Sequence, residues 1–469
     1  MYNLKGGVYM TLNDYLNSLK GKSIAVVGYG VSNAPLTDLL LEHGLDVTVC
    51  DKRSEEQFET AAALKERGAK LRLGDKYLDK LHEDVIFRTP GLHPFTPELK
   101  SAAEGGSVLT SEMEAFFAVC PCRTIAITGS DGKTTTSTLI ATLLRESGHT
   151  VFLGGNIGMP LLNKVPEMKP DDFAVLELSS FQLHSMKCKP NVAVITNISP
   201  NHLDVHPDLD DYVNAKKSIF LNQTEGDRLI LNADDSYTPD FAAEANAALS
   251  YFSHSHSVES GCFTVDELIY SARHYEVHEI MPTAGILIPG LHNVDNYMTA
   301  YAATEGFITD SVFRKVARTF PGVPHRIELV RERNGVKFYN DSIASSPTRT
   351  IAGLRCFNNV KPILIAGGHD KHVPFDDLGT EIVNRVKTLY LTGETAERIK
   401  QTVLNTPGYN RLTLPIYVID DFRDAVISAA ESAKDGDVVI MSPACSSFDK
   451  FKNFVERGNT FRGIVLGLE

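Results

Sequence analysis

The amino-acid sequence predicts an α/β protein with about three compact domains. The chain has 469 residues, and domains commonly hold about 100 to 200 residues each. Short apolar runs alternate with helix-like stretches along most of the chain, as strands and helices do in α/β sheets. Hydrophobic residues make up 43% and charged residues 22% of the chain. This composition is typical of globular proteins and indicates that each domain can bury a core.

Charge and cysteine content narrow the possible functions. The chain carries 46 basic and 59 acidic side chains and a net charge of -13, which argues against an extended nucleic-acid surface but permits local anion pockets. Its seven cysteines lack a metal-ligand spacing, which predicts free thiols in a reducing compartment. No apolar run reaches the length of about 18 residues that a membrane span needs, and the first 22 residues do not resemble a signal peptide. We therefore expect a cytoplasmic protein.

The N-terminal part begins with a strand-helix-strand pattern. An apolar run at 23–27 precedes a helix-like stretch that ends near His43, and a second apolar run covers 46–50. A further run at 84–87 predicts a later strand of the same sheet, followed by a turn. These elements predict a first domain of about 110 residues, which is within the usual size range.

A glycine motif lies between the first two predicted strands. Gly28-Tyr29-Gly30-Val31-Ser32-Asn33 resembles a dinucleotide-binding fingerprint, and Asp51 ends the next strand, where a ribose-binding acid is expected. Asn33 stands where the third glycine would be. The motif alone leaves two interpretations open, a tight turn and a hydride-transfer enzyme, and the second does not explain the phosphate loop at Lys133.

The strongest functional motif follows a predicted strand at 123–128. The segment 128–136, Thr-Gly-Ser-Asp-Gly-Lys-Thr-Thr-Thr, leads into a helix that ends near Gly148. Glycines there let backbone N–H groups face phosphate oxygens, Lys133 adds positive charge, and Thr134 offers a hydroxyl to Mg²⁺. Ile127 occupies the position of the first glycine of an ordinary P-loop, so this loop is two residues shorter. It predicts an ATP-using enzyme, with an ordinary glycine turn as the alternative.

Three further residues of the central part could act with this loop. Glu177 ends an apolar strand, so its carboxylate is expected at the sheet edge that carries Lys133, where a hard oxygen ligand suits Mg²⁺. His202 follows another strand at 191–196, and its alternative role is that of a hydrogen-bonded loop histidine. Lys216 lies on a predicted helix, and its pattern alone predicts a solvated side chain.

The second half of the chain contains two changes of pattern. Short alternating runs between 248 and 289 predict a small antiparallel subregion, and the prolines and glycine at 321–324 predict a domain boundary. Beyond that boundary a further α/β layer is predicted, with strands at 336–339, 361–366, 388–391, 416–419 and 437–441. Four polar clusters there favour a binding face, and they lie at 324–328, 340–342, 367–371 and 442–449.

Taken in order, these motifs resemble those of the Mur ligase family over nearly the whole chain. The most specific are the shortened loop, Gly290-Leu291-His292-Asn293 with Asn296, His325-Arg326, and the segments 154–158, 177–183 and 442–454. The resemblance implies three α/β domains. They are a Rossmann-like UDP-substrate domain at 1–112, a central P-loop ATPase-like domain with a mostly parallel sheet at 113–322, and a Rossmann-like amino-acid domain at 323–469.

The resemblance also implies a reaction in peptidoglycan synthesis. An ATP-dependent amide ligase of this family would phosphorylate the carboxylate of UDP-N-acetylmuramoyl-L-alanine, and the amine of D-glutamate would then displace phosphate from the acyl phosphate. Two Mg²⁺ ions and Lys133 would neutralise charge on the transferring phosphoryl group. The partners would be these small molecules, and the enzyme is expected to be a monomer.

The family roles transfer to matching positions of this sequence. Contacts to ATP are implied for Gly129, Ser130, Asp131, Gly132, Lys133, Thr134, Thr135, Asn293, Asn296, Arg326 and Asp341. Metal ligation is implied for Thr134, Glu177, His202 and a carbamylated Lys216, whose modification would turn a cation into a carboxylate-like anion. Catalytic roles are implied for Lys133, Glu177, His202, Lys216 and Lys371.

The two other substrates also have matching positions. The UDP substrate would contact Val31, Ser32, Asp51, Arg53, Asn156 and His202. The incoming amino acid would contact Ser345, Lys371, Ser447 and Phe454. After Asn340-Asp341-Ser342 many members have a lysine where this chain has Ile343, so the choice between D- and L-glutamate stays open. The alternatives are the same ligation with another Mur-type amino acid, a folylpolyglutamate-type ligase and a non-catalytic nucleotide-binding protein, and Asp51 with Arg53 speaks against the folate enzyme.

Overall fold

The computed structural model describes residues 10–93, 95–200, 205–357 and 360–468. In these ranges the chain forms three sheets, of five, nine and six strands, which confirms the predicted α/β class. The chain divides into two compact units, one of residues 1–282 with 295–316 and one of residues 283–294 with 317–469. The first two sheets belong to the same unit, so the domain boundary near residue 112 stays a prediction.

The first sheet is parallel, with the strand order β3-β2-β1-β4-β5. Its strands are Ser23–Val27 (β1), Asp46–Asp51 (β2), Lys70–Leu73 (β3), Val85–Arg88 (β4) and Val108–Thr110 (β5). Its helices are Leu12–Ser18 (α1), Asn33–Glu42 (α2), Ala61–Glu66 (α3), Pro97–Glu104 (α4) and Glu112–Val119 (α5). The strand order reverses at β1, and ligands bind at such switch points. Strands β3 and β5 were not predicted, because these short edge strands lack a buried apolar run.

The second sheet has the strand order β14-β13-β12-β11-β10-β9-β6-β8-β7. Its strands are Arg123–Thr128 (β6), Val151–Gly155 (β7), Phe173–Glu177 (β8), Val192–Ile195 (β9), Arg228–Asn232 (β10), Ala248–Ser253 (β11), Gly261–Val265 (β12), Leu268–Arg273 (β13) and Glu276–Pro282 (β14). The helices are Lys133–Glu146 (α6), Ser180–Leu183 (α7), Leu209–Lys217 (α8), Thr238–Glu244 (α9), Leu291–Ala303 (α10) and Asp310–Thr319 (α11).

Only the last three strands of this sheet pair in antiparallel fashion. Strand β12 pairs with β13, and β13 with β14, in opposite directions. The prediction placed the start of the antiparallel subregion near residue 248, but β11 is parallel to both of its neighbours. The antiparallel part therefore begins at Gly261. Strand β6 lies between β8 and β9 with all three parallel, so their carboxyl ends meet at one edge.

The third sheet has the strand order β15-β16-β20-β17-β18-β19. Its strands are Glu328–Arg333 (β15), Val336–Asn340 (β16), Ile363–Ala366 (β17), Thr388–Leu391 (β18), Ile416–Val418 (β19) and Val438–Met441 (β20). Its helices are Pro347–Leu354 (α12), Asp376–Arg385 (α13), Ala396–Asn405 (α14), Phe422–Ser432 (α15) and Phe454–Leu466 (α16). The five predicted strands are all present. The unpredicted β15 is an antiparallel edge strand whose charged residues conceal its pattern.

The cysteines lie in the interior. All seven are buried and free of disulfide bonds, as predicted. Burial raises the thiol pKa of Cys50, Cys188, Cys262, Cys356 and Cys445. In the described ranges no helix combines the length and the apolar character that crossing a bilayer requires.

Candidate active site

The phosphate loop connects β6 to α6 through two glycines in left-handed conformations. Gly129 has a φ of +145°, and a Cβ there would lie 1.9 Å from Thr196 Oγ1. Gly132, the N-cap of α6, has a φ of +79°, and a Cβ there would lie 2.5 Å from Asn296 Oδ1. Both positions therefore require glycine. Helix α6 begins directly after this turn, and the partial positive charge of its N-terminus favours phosphate oxygens.

Lys133 folds back over its own loop. Its Nζ donates hydrogen bonds to the carbonyl oxygens of Gly129 at 2.8 Å and Ser130 at 2.9 Å. Ser130 Oγ in turn donates to the carbonyl oxygen of Ser199 at 2.9 Å. The ammonium group thus lies against the loop backbone, where phosphate oxygens could replace the carbonyl contacts.

Glu177 ends β8 beside this loop and is buried, with 1% of its surface exposed. Its Oε1 accepts a hydrogen bond from Asn156 Nδ2 at 2.9 Å, whereas its Oε2 is buried without a hydrogen-bond partner among the described residues. Leaving a buried acceptor unsatisfied costs about 1–3 kcal/mol, and more for a charged group. A hard cation such as Mg²⁺ would satisfy that oxygen. The structure also places Asn156, implied as a contact of the UDP substrate, directly against Glu177.

Lys216 is buried, which contradicts the solvated side chain that its helix pattern predicted. Its Nζ lies 2.8 Å from the Gly129 carbonyl oxygen and 4.5 Å from the centre of the Tyr212 ring. Burial lowers the pKa of Lys216 well below its usual value, and the charge of Lys133 lowers it further. The sequence did contain a sign that Lys216 is buried. Lys216 follows Tyr212 by four residues and Val213 by three, so the three side chains share one face of the helix.

The predicted metal ligand His202 lies outside the described residues, but a group of other histidines surrounds Asp211. His184 Nε2 lies 2.9 Å from Asp211 Oδ1, and His206 Nδ1 lies 2.6 Å from Asp211 Oδ2. One potential ligand atom from each of His93, His184 and Asp211 lies within 4.8 Å of the other two, which is close enough to hold a metal ion.

The hydrogen bonds of His93 argue against a metal at that group. His93 Nδ1 accepts the backbone N–H of Phe95 at 3.2 Å, so the neutral ring carries its proton on Nε2. A ligating histidine instead presents a lone pair to the metal and donates from its other nitrogen. Burial also lowers the pKa of His93, which favours this neutral ring. Asp211 is hydrogen-bonded to His184 and His206, whereas His93 Nε2 and His184 Nδ1 are buried without a hydrogen-bond partner among the described residues.

The predicted UDP contacts of the first sheet meet at the carboxyl ends of β1 and β2. Asp51 Oδ2 accepts the backbone N–H of Tyr29 at 2.8 Å, and Asp51 Oδ1 accepts from Arg53 Nε at 2.8 Å. Burial raises the pKa of Asp51, but these hydrogen bonds outweigh it and hold the pKa below its usual value. Ser32 is the N-cap of α2, and the neighbouring Val31 side chain is 78% exposed. This end of the sheet therefore presents the Asp51 carboxylate, held in place by hydrogen bonds, and the exposed apolar side chain of Val31.

The second unit contains three of the predicted nucleotide contacts. Asp341 Oδ2 accepts from Ser442 Oγ at 2.7 Å, and burial raises the pKa of Asp341 to about 7, although its hydrogen bonds and the charge of Arg326 oppose the rise. In the part of the chain that the structure describes, Arg326 Nε is buried without a hydrogen-bond partner, which leaves it available to a ligand. Asn293 Nδ2 donates to the Pro289 carbonyl oxygen at 2.6 Å. In the first unit, Asn296 Oδ1 accepts a hydrogen bond of 3.1 Å from Oγ1 of Thr136, which lies in the first turn of α6.

The predicted amino-acid contacts lie after strands of the third sheet. Lys371 Nζ donates to the Ser345 carbonyl oxygen at 3.3 Å. Ser447 is buried in the loop after β20. Phe454 begins α16, and its carbonyl oxygen accepts from Ser342 Oγ at 2.7 Å. This hydrogen bond joins the loop that follows β16 to the start of α16.

Arg457, which was not among the predicted site residues, braces the loops after β16 and β20. Its buried guanidinium donates to the carbonyl oxygens of Ser342 at 2.9 Å, Cys445 at 3.1 Å and Ser446 at 3.2 Å. Burial lowers the pKa of Arg457 to about 10. Its spacing from Phe461, four residues later on the buried face of α16, was the signal that it faces inward.

Two family models match this chain. The model of the Mur ligase middle domain matches residues 127–304, and the model of the Mur ligase, glutamate ligase domain matches residues 325–445. The chain is 50% identical to the UDP-N-acetylmuramoylalanine--D-glutamate ligase of Acetivibrio thermocellus, over 98% of this chain and 99% of that protein. It is 48% identical to the ligase of the same name from Ruminiclostridium cellulolyticum, with the same coverage.

Solved structures share the fold at low sequence identity. The UDP-N-acetylmuramate-alanine ligase from Thermotoga maritima superposes with a TM-score of 0.55 at 18% identity, covering 95% of this chain and 99% of that one. E. coli FolC in complex with ADP superposes with a TM-score of 0.54 at 16% identity, covering 76% of this chain and 92% of that one.

Proposed function

Because this chain belongs to the Mur ligase family, we propose that it uses ATP to join D-glutamate to UDP-N-acetylmuramoyl-L-alanine in peptidoglycan synthesis. Two relatives named for this ligation share about half of its residues over nearly its whole length. The structural observation that supports an ATP-using ligase best is the unpartnered, buried Glu177 Oε2 beside the phosphate loop. The likeness to FolC extends to the fold alone.

The proposed reaction has two steps. A carboxylate oxygen of the UDP substrate attacks the γ-phosphorus of ATP, the bond to the β,γ-bridging oxygen breaks, and ADP leaves. The amine nitrogen of glutamate then attacks the carbonyl carbon of the acyl phosphate, the bond to phosphate breaks, and the nitrogen loses a proton. The Lys133 ammonium and the N-terminus of α6 would offset negative charge in the first step.

The residues at the strand ends fit a magnesium site. Glu177 Oε2 needs a partner, and Thr134 lies in the first turn of α6, directly after the loop, so these two side chains would hold one Mg²⁺ ion and His202 would serve a second. When bound, Mg²⁺ supplies positive charge to the phosphate oxygens. Asn156 holds Glu177 Oε1 and so keeps the carboxylate in place.

We further propose that Lys216 is carbamylated. A neutral amine can add to the carbon of CO₂, and the lowered pKa of the buried Lys216 favours the neutral form. The addition forms a C–N bond and releases one proton, which leaves an anion at the end of the side chain. Lys133, whose charge disfavours a second ammonium nearby, would stabilise that anion.

The remaining assignments follow from the same premise. We propose that the UDP substrate contacts Val31, Ser32, Asp51 and Arg53, that Arg326 and Asp341 contact the nucleotide, and that Ser345, Lys371, Ser447 and Phe454 contact the amino acid. The proposed domains are 1–112, 113–322 and 323–469. The enzyme is proposed to act as a cytoplasmic monomer.

Phosphate release tests the proposed function. It should require ATP, Mg²⁺, UDP-N-acetylmuramoyl-L-alanine and D-glutamate together, and omission of any one should abolish it. L-glutamate in place of D-glutamate should support little turnover. Turnover with a folate substrate, or with L-glutamate alone among the two enantiomers, would refute the assignment.

A further inference from the structure

Two cationic side chains contact one short segment after β16. Arg349 Nη1 donates to the Ile343 carbonyl oxygen at 3.3 Å, and Lys371 Nζ donates to the Ser345 carbonyl oxygen at 3.3 Å. The Ser345 backbone N–H also bonds to the Ile343 carbonyl oxygen, at 2.8 Å. Both cations are exposed, so an approaching anion can reach them.

Neither charge forms a salt bridge with a carboxylate of the described residues, although Arg349 interacts electrostatically with the buried Asp341. Within the described parts of the chain, no ion pair involves Arg349 or Lys371, although the sequence holds 59 acidic residues. Asp341, which precedes the segment, is buried and accepts a hydrogen bond from Ser442. Arg349 also lies in the first turn of α12, where the helix dipole disfavours a cation. This placement has an electrostatic cost that a bound anion would offset.

Neighbouring basic groups are already engaged. Arg398 Nη1 lies 2.7 Å from Asp370 Oδ1, and His369 Nδ1 lies 2.9 Å from Glu394 Oε2. The buried Arg457 donates to backbone carbonyl oxygens. Arg326, whose Nε is buried, also lies near this segment, but among the described residues Arg349 and Lys371 are the exposed basic side chains that contact it without forming a salt bridge.

We propose that Arg349 is a specificity-determining residue that binds one carboxylate of the incoming glutamate while Lys371 binds the other. The inference deepens the proposed function and rests on it. Glutamate brings two carboxylates at neutral pH, and a single ammonium can neutralise only one of them. The planar guanidinium fork suits a carboxylate well. Ile343 cannot supply charge at the position where many family members have lysine, and Arg349 contacts the carbonyl of that same residue.

Steady-state kinetics on the full-length enzyme test this role. Arg349→Gln should raise the KM for D-glutamate about 10- to 100-fold, since a hydrogen bond to a charged group has that order of effect. The KM values for ATP and the UDP substrate should stay within about 2-fold. Arg349→Lys should keep part of the affinity because it keeps the charge. The matched control Arg423→Gln changes an exposed arginine in the first turn of α15 and should behave as wild type.

Several results would overturn the inference. An unchanged KM for glutamate in Arg349→Gln would do so, and so would a fall in kcat alone, which would assign Arg349 to phosphoryl transfer. Adding Ile343→Lys to Arg349→Gln should bring the raised KM down, and a KM that stays raised would refute the shared role of the two positions. A wild-type enzyme inactive with D-glutamate would instead refute the proposed function.

Discussion

Lys216 Nζ lies 2.8 Å from the carbonyl oxygen of Gly129, so a buried amine contacts the first residue of the phosphate loop. A charged ammonium is costly in such a place, because burial removes its hydration. The lowered pKa of Lys216 expresses that cost. The lowered pKa raises the fraction of the neutral amine next to the loop, and the neutral amine is the form that reacts with CO₂.

Replacing Lys216 tests the proposed carbamate. Lys216→Ala should lower kcat by at least about 100-fold, because a preorganised charged group near the reacting phosphate is lost. Acetate or another short carboxylic acid should restore part of the activity by entering the vacated space. The control Lys217→Ala removes a partly exposed ion pair with Glu244, which is worth about 0–1 kcal/mol, and should leave activity intact. Full activity of unrescued Lys216→Ala would exclude the carbamate.

Glu177→Gln tests the metal site at the end of β8. The amide can still accept the Asn156 hydrogen bond through Oε1, but it replaces the unpartnered oxygen with an NH₂ group that cannot ligate Mg²⁺. We expect kcat to fall at least about 100-fold and the Mg²⁺ concentration for half-maximal activity to rise. Without Mg²⁺ the variant should unfold at the same temperature or higher, because a buried charge is removed. Glu167→Gln, at an exposed ion pair with Lys164, is the control. A normal Mg²⁺ requirement in Glu177→Gln would contradict the assignment.

The glycines that flank the two ends of α6, Gly132 and Gly148, provide a matched pair of substitutions. Gly132→Ala adds a Cβ at a φ of +79° that would lie 2.5 Å from Asn296 Oδ1, whereas Gly148→Ala adds one at +88° with no atom within 4 Å. Both variants bear the conformational cost of about 1–2 kcal/mol, but only the first must displace a neighbour. Calorimetric titration should show ATP affinity reduced at least about 10-fold in Gly132→Ala and nearly unchanged in Gly148→Ala. Equal affinities in the two variants would disprove steric control of the loop.

Asp341 should make stability depend on pH. Its folded-state pKa is raised from 3.8 to about 7, so between about pH 4 and 7 the unfolded chain has lost a proton that the folded chain keeps. The stability contributed by this group is therefore complete below pH 4 and falls as pH rises to 7, by on the order of 4 kcal/mol. The Asp341→Asn variant should not lose this stability as the pH rises, because the amide does not titrate. Urea denaturation from pH 4 to 8 should show that the free energy of unfolding of the variant rises relative to that of wild type as the pH increases. A constant difference between the two proteins would contradict the raised pKa.

Local patterns predicted much of the site. The glycine loop and Glu177 were predicted because strand ends and left-handed turns leave a short-range signature. The burial of Lys216 and the bracing by Arg457 were missed, because a basic residue on a helix is solvated in most proteins and only the packing of α8 and α16 turns these two inward. The edge strands β3, β5 and β15 were missed for a related reason, since half-exposed strands lack an apolar run.

The interior location of every native thiol makes the protein suited to site-specific labelling. All seven cysteines, each within the described residues, are buried, so a cysteine introduced at a surface position would react with a maleimide far faster than they do. Val108 in the first unit and Leu412 in the second are 58% and 91% exposed. Fluorophores at Val108→Cys and Leu412→Cys would form a distance reporter without removal of any native cysteine. Energy transfer between them would then show whether the separation of the two units changes as each substrate is added.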